Sequence, residues 1–293
     1  MTLLRITRHS QGWLYLLPSL LFVAAFVLWP LAQLMQMSLT DRSLLGGGKF
    51  VGFDNYVKIW NDSGFWRALG FTFKYTLALT PILMGLGFAL ALLTLDNSPL
   101  KRLTRTIAFM PVVIGLSSSS LLWFWLFDEQ VGLLNKLLTD WRIIGEPMVW
   151  FISANVAFWA VVISITWKVV GFGMVLFIAG IQSINPEIME AAIVDGAGYW
   201  ARVTRIIAPL SQRIILLTTL ISAIGSMLAF DQFYIMTSGG PRAQTFTAVY
   251  WIYQNSFVSF KLGYGAALSI VLTLIILAFS AIQIVLSARS ARE

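Results

Sequence analysis

The chain has no cysteine and a single histidine, His9, in 293 residues. The first absence excludes disulfides, thiolate metal sites and cysteine nucleophiles. The second excludes histidine metal clusters and histidine-based triads. Charge is scarce: Asp, Glu, Lys and Arg make up 11% of the chain, against roughly a quarter in a soluble domain. A phosphate-cradling loop is missing too. "GGGK" at 46–49 is followed by Phe50 and lacks the G-x4-G-K-[ST] spacing, so its expected role is a flexible outer turn. The net charge of +7 comes from Lys and Arg scattered singly between apolar runs, which does not make a nucleic-acid surface.

What is there is apolar. Hydrophobic residues are 58% of the chain and mean hydropathy is +0.80, the composition of an integral membrane protein. Stretches free of Lys, Arg, Asp and Glu run over 9–40, 75–95, 106–127, 147–167, 169–186, 214–230 and 262–288. A helix needs about 20 such residues to cross roughly 30 Å of hydrocarbon. Backbone polar groups in lipid must be satisfied within the segment, so these runs are expected to be helices. The first, although preceded by Arg5 and Arg8, is longer than the apolar region of a signal peptide and has no clear cleavage site, and is expected to be a retained span.

Lys168 decides the count. It divides 147–186; a turn there would give seven spans and termini on opposite sides. The surrounding "SITWKVVGF" holds no turn signal, which favours one helix over about 152–181. Six helices follow: about 13–38, 70–95, 107–127, 152–181, 210–235 and 263–287, in one transmembrane domain over 13–287 with short tails 1–12 and 288–293. Trp13, Tyr15, Trp29, Trp60, Trp66, Trp150 and Trp251 flank the spans as interfacial belts do. With the N-terminus inside, ten Lys and Arg fall in the inner segments and eight in the outer loops 39–69, 128–151 and 236–262. The short inner segment 96–106 carries Lys101, Arg102 and Arg105. Both termini, and the segment 182–213, are therefore expected to be cytoplasmic.

That segment is the polar one: "SINPEIMEAAIVDGAGYWARVTRIIAPL". Asn185 suits an N-cap and Pro186 a first helical residue. Glu187 and Glu190 lie near the positive end of the helix dipole. Asp195-Gly196-Ala197-Gly198 breaks the helix, a second begins at Tyr199, and Pro209 marks entry to the next span. Two readings are open from periodicity: a hairpin on the membrane surface, or a docking element with small residues Ala191 and Ala192 beside a fixed acid.

Glu190-Ala191-Ala192, then Gly196, then Ile206-Ile207-Ala208-Pro209 resembles the EAA loop of binding-protein-dependent ABC importer permeases. "FIAGIQSINPEIMEAA", "FDQFYIMTSGGPRAQT" and "FVGFDNYVKIW" resemble the carbohydrate-uptake branch, of the maltose-permease and glycerol-phosphate-permease kind, and the similarity covers about 12–287. Ala208 stands where the family often has Leu. The resemblance implies an all-α integral membrane protein with six helices of the type I ABC importer permease kind. It also implies a cytoplasmic coupling helix between helices 4 and 5, in a coupling loop over 183–209. In that family Glu190 would make an ionic contact with a separate ATPase. Gly196, after Asp195, would permit the turn, and Ala191, Ala192 and Val194 would pack in the ATPase groove. The implied partners are two ATPase subunits, a second homologous permease in a heterodimer, an extracytoplasmic binding protein and the lipid of a bacterial inner membrane. ATP and Mg would be held by the ATPases, so this chain would carry no cofactor or metal and would not itself be an enzyme. The solute would be a sugar or sugar derivative.

The expected substrate pathway includes Trp167, Lys168 and Phe172, because a cation in mid-membrane is a functional candidate and would favour an anionic solute. A lysine paired with backbone carbonyls, or snorkelling, is the structural alternative. Asp231, at the outer end of the fifth span, is a second candidate, more in keeping with a structural or gating contact. A stand-alone six-helix facilitator is the rival function. A secondary transporter would show two related halves, which are not visible here.

Overall fold

A computed structural model describes residues 8–96 and 98–290. Arg5 and the last three residues, on which part of the orientation rests, lie outside the described residues, as does the side chain of Trp13. The described chain is helical, with two isolated bridges, Thr40–Phe50 and Ser43–Gly46. In order come α1 (Arg8–Val23), a π segment Ala24–Leu28, α2 (Trp29–Ser38), α3 (Asp54–Trp60), α4 (Ser63–Leu93), α5 (Pro99–Val113), α6 (Leu116–Leu126), α7 (Leu133–Asp140) and α8 (Ala154–Gln182). They are followed by α9 (Pro186–Val194), α10 (Tyr199–Arg202), a π segment Val203–Ile207, α11 (Ala208–Leu210), α12 (Gln212–Met227), α13 (Asp231–Met236), α14 (Ala248–Tyr253), a π segment Gln254–Val258 and α15 (Leu262–Ser290).

Among the described residues, four helical stretches are long and apolar enough to cross a membrane: Tyr15–Ser38, Ser63–Leu93, Ala154–Gln182 and Leu262–Val285. Two bent pairs raise the number to six if each is one span: α5 with α6, bent by 102°, and Tyr199–Leu210 with α12, bent by 70°. These stretches overlap the six helices expected from the sequence, except that α12 ends at Met227 rather than about 235, and α13 starts afresh at Asp231. Helix α8 passes through Lys168 without a break, as the missing turn signal led one to expect. Two of the elements begin well before the expected positions. Helix α4 starts at Ser63 rather than about 70, and α5 at Pro99 rather than 107, capped by the Ser98 hydroxyl. In both, a helical extension bearing Arg or Lys precedes the uncharged run, and counting uncharged runs does not see it.

The chain falls into two compact units, Met1–Asp62 with Ile252–Leu274, and Ser63–Trp251 with Ile275–Glu293. In the first, buried Asn55 on α3 donates from Nδ2 to the carbonyls of Ser38 and Thr40, each at 2.8 Å. These bonds tie the "FVGFDNYVKIW" segment to the end of α2. Gly46, Gly47 and Gly48 all have positive φ, so the "GGGK" segment is a turn, as expected.

In the second unit α4 and α8 pack around crossed aromatic rings. Phe71, Tyr75, Phe158 and Phe233 meet edge to face, at centroid distances from 5.0 to 6.2 Å, the geometry favoured by ring quadrupoles. A second cluster holds the opposite ends of these helices: Ala91, Met174, Phe177, Ile178 and Ile181 are buried with Val203 and Ile207. Burying two such aliphatic side chains contributes on the order of 1.5–3 kcal/mol each. That contribution roots the segment after α10 in the helical body.

Candidate functional site: an exposed hairpin and a broken span

The hairpin formed by α9 and α10 is built by local rules. Asn185 caps α9, its Oδ1 accepting the Glu187 amide at 3.1 Å. Pro186 occupies the first helical position, where its missing N–H costs nothing. At the other end Gly196 has φ +76. Its amide donates to the Ile193 carbonyl at 3.0 Å, and the Ala197 amide reaches back to the Ala192 carbonyl at 2.9 Å. This pairing is a Schellman C-cap, which requires a left-handed residue where Gly196 stands.

Sequence reasoning singled out Glu190, Ala191, Ala192, Val194, Asp195 and Gly196, and the structure brings them together on α9 and its cap. All are exposed except Ala192, which is buried in its own chain. The exposed apolar surface is broader than expected. Val194 is 87% and Trp200 73% exposed, and Ile188, Ile193 and Tyr199 are exposed as well. Sequence reasoning missed Ile193, Tyr199 and Trp200. The signal was present, since a Tyr-Trp pair directly after a glycine turn has no apolar run to join.

The second cluster surrounds the break between α5 and α6. Ile114 and Gly115 are both extended there, with ψ 137 and 146, so the last carbonyls of α5 lose their helical partners. Lys168, only 7% exposed, fills the gap. Its ammonium donates to the carbonyls of Pro111 at 3.3 Å, Val112 at 3.5 Å and Ile114 at 2.5 Å. The approach depends on Gly171, one turn along α8, where a Cβ would strike the Ala108 carbonyl of α5. Just past the break, the Ser117 hydroxyl donates to Asp231 Oδ1 at 2.7 Å. Asp231 is the first residue of α13.

Lys168 and Asp231 therefore meet the same break from two sides. Of the other two candidates, Trp167 presents an exposed face and sets its ring edge-on to buried Trp123 at 5.6 Å, and Phe172 is exposed. A second cation caps a helix in the same way. Arg105 donates from Nε to the Thr94 carbonyl at 2.6 Å and from Nη2 to those of Leu95 and Asp96 at 2.8 and 2.9 Å, just past the end of α4.

Long apolar helices and two sharply bent helix pairs, one of them beginning in the α9–α10 hairpin, define an α-helical membrane protein by length and composition. Residues 82–292 match the family described as the binding-protein-dependent transport system inner membrane component, and the chain belongs to that family. It is 34% identical over 282 residues to the lactose transport system permease protein LacF of Rhizobium radiobacter, covering 93% of this chain and 92% of that one. It is also 34% identical over 261 residues to the sulfoquinovosyl glycerol transport system permease protein SmoG of Agrobacterium fabrum, covering 88% and 84%. In fold it is similar to a chain in the crystal structure of a bacterial alginate ABC transporter in complex with alginate pentasaccharide-bound periplasmic protein. That match has a TM-score of 0.86 at 21% identity, covering 98% of this chain and 96% of that one. A stand-alone facilitator is not favoured by this membership.

Proposed function

We propose that this chain is one of two permease subunits of an ATP-driven importer for a sugar or sugar derivative delivered by an extracytoplasmic binding protein. The carrying observation is the α9–α10 hairpin. It is apolar and exposed at Val194 and Trp200, bears Glu190 on its surface, and is rooted through Val203 and Ile207 in the helical body. A lever attached in this way transmits displacement of its tip to α8 and α4, which share that core. Its tip suits a groove on a separate ATPase subunit on the cytoplasmic side, with Glu190 supplying an ionic contact. ATP and Mg belong to that subunit. The chain then spans a bacterial inner membrane six times, with both termini cytoplasmic, and pairs with a related second permease.

The sugar class is supported by the relatives' names, a lactose and a sulfoquinovosyl glycerol permease. Trp167 and Phe172 form the proposed pathway wall, and Lys168 and Asp231 meet the neighbouring break through Ile114 and Ser117. The exposed Trp167 and Phe172 faces offer stacking surfaces for a sugar ring. The test is a tagged pull-down from the native membrane after gentle solubilisation. A second six-span protein and an ATPase should co-purify and be lost on Glu190→Lys or Gly196→Pro. Recovery of the chain alone, transporting solute without ATP after reconstitution, would overturn the proposal.

A further inference from the structure

Lys168 is a buried cation without an acidic partner. Among the described residues the ion pair is Asp96–Lys101, and no carboxylate reaches Lys168. An ammonium has three donors and no acceptor. Here the three carbonyls of Pro111, Val112 and Ile114 lie at 3.3, 3.5 and 2.5 Å, and they match that capacity. A solute anion could reach Lys168 only by displacing one of them. The Pro111 carbonyl also accepts the Ile114 amide at 3.2 Å, but those of Val112 and Ile114 in turn need the ammonium. They lie at the negative end of the α5 dipole, in a segment that by composition crosses the membrane, where an unpaired carbonyl is strongly disfavoured. Arg105 makes the same kind of contact with the carbonyls of Thr94, Leu95 and Asp96.

The break so held is joined to another. Helix α12 ends at Met227, α13 begins at Asp231, and Asp231 accepts the Ser117 hydroxyl at 2.7 Å. From these contacts we infer that Lys168 is a positioning residue. It clamps the 102° bend between α5 and α6 and so places Ser117 on Asp231, tying the broken third span to the segment after α12 without touching solute. The inference rests on the proposed transport reading only for its consequence, that the two broken spans move as one; the clamp itself is a property of the chain.

The absence of cysteine allows a direct test. A single cysteine is placed at exposed Ser118 (Ser118→Cys) in the full chain in its native membrane, and its rate of reaction with N-ethylmaleimide is measured with no solute and no ATP. Lys168→Met and Asp231→Ala should each raise the rate about fivefold, the opening expected when roughly one net hydrogen bond of ordering is lost. The double variant should be no faster than the faster single one, because both act on one joint. Lys168→Arg, whose guanidinium donates to carbonyls as Arg105 does, should stay near the parent rate. A cysteine at exposed Ser183, just past the far end of α8, should react equally in all variants, which separates a local joint from general loosening. If Lys168→Met fails to accumulate in the membrane, Ser117→Ala tests the joint from the other side and should raise the Ser118→Cys rate alike. Equal rates in every variant would overturn the inference and return Lys168 to the role of a solute-reading cation. The pull-down fails or succeeds independently of this outcome.

Discussion

Ser117 and Asp231, 114 positions apart in sequence, share a hydrogen bond of 2.7 Å. A hydroxyl donating to a carboxylate is stronger than a neutral pair, yet Ser117 is exposed, which reduces its net value. Asp231→Ala should lower the unfolding temperature of the solubilised protein, with a loss of about 1 kcal/mol. Asp231→Asn keeps an acceptor at Oδ1 and should retain most of the stability. A double-mutant cycle with Ser117→Ala checks whether the two residues couple.

Gly171 and Gly225 should respond oppositely to alanine. At Gly171 a Cβ would meet backbone atoms, the Ala108 carbonyl carbon at 2.7 Å and Phe109 Cα at 2.8 Å, and backbone cannot swing aside. Gly171→Ala should cost about 1–3 kcal/mol, as overpacking does. It should also move α8 away from the α5 carbonyls that Lys168 holds. Gly225 in α12 has nothing within 4 Å of the added atom, so Gly225→Ala should be neutral or stabilising by up to about 1 kcal/mol. Thermal unfolding of the two variants side by side checks both.

The hairpin should be weakened from either end. Asn185→Ala removes the N-cap of α9, a loss of about 1 kcal/mol. Gly196→Ala forces a Cβ into the left-handed region, at about 1–2 kcal/mol. Both should lower affinity for the proposed ATPase partner roughly 5- to 10-fold, as a loss of about 1 kcal/mol does, while leaving the amount of chain in the membrane unchanged. Gly198→Ala, at a negative φ of −65, is the control expected to bind as the parent does. Titration of the purified ATPase against permease in nanodiscs measures all three.

Asp128, in the loop between α6 and α7, has a pH signature. Its Oδ1 accepts the amides of Gln130 and Val131, each at 2.9 Å. The two N–H groups, first Val131 and then Gln130, hold the carboxyl below its ordinary range. The contribution of a group with a lowered folded value is fully present above the unfolded value and lost as pH falls through the folded one. The difference in unfolding temperature between parent and Asp128→Ala should therefore be constant at neutral pH and shrink under acid. A difference that grows on acidification would contradict the assignment.

The spans were legible because each centres on an apolar run with few charges, the composition that lipid demands of a helix. The hairpin was legible from Asn185, Pro186 and Gly196, whose backbone roles are local. The bend at Ile114–Gly115 was not. It falls inside the uncharged run 106–127, and what stabilises it is the ammonium of Lys168, more than fifty positions away. Nor could the sequence tell that Ala192 turns inward while Trp200 stays exposed. Both faces of α9 are apolar, with Ile188 and Met189 adjacent and Ile193 and Val194 adjacent, so periodicity does not choose a face. Lys74 was also passed over. It stands within α4 with its ammonium 4.8 Å above the Phe158 ring, a pairing that only the packing of α4 on α8 creates.

The exposed Val194 and Trp200 also bear on how much of this chain a cell can keep. On the proposed reading, a newly made copy without its partner leaves a Trp, a Tyr and three aliphatic side chains uncovered, the kind of surface that chaperones and membrane proteases survey. Abundance of the subunit should therefore follow the supply of whatever covers the hairpin. Overproduction of the chain by itself should shorten its half-life, and co-expression of the covering partner should restore it.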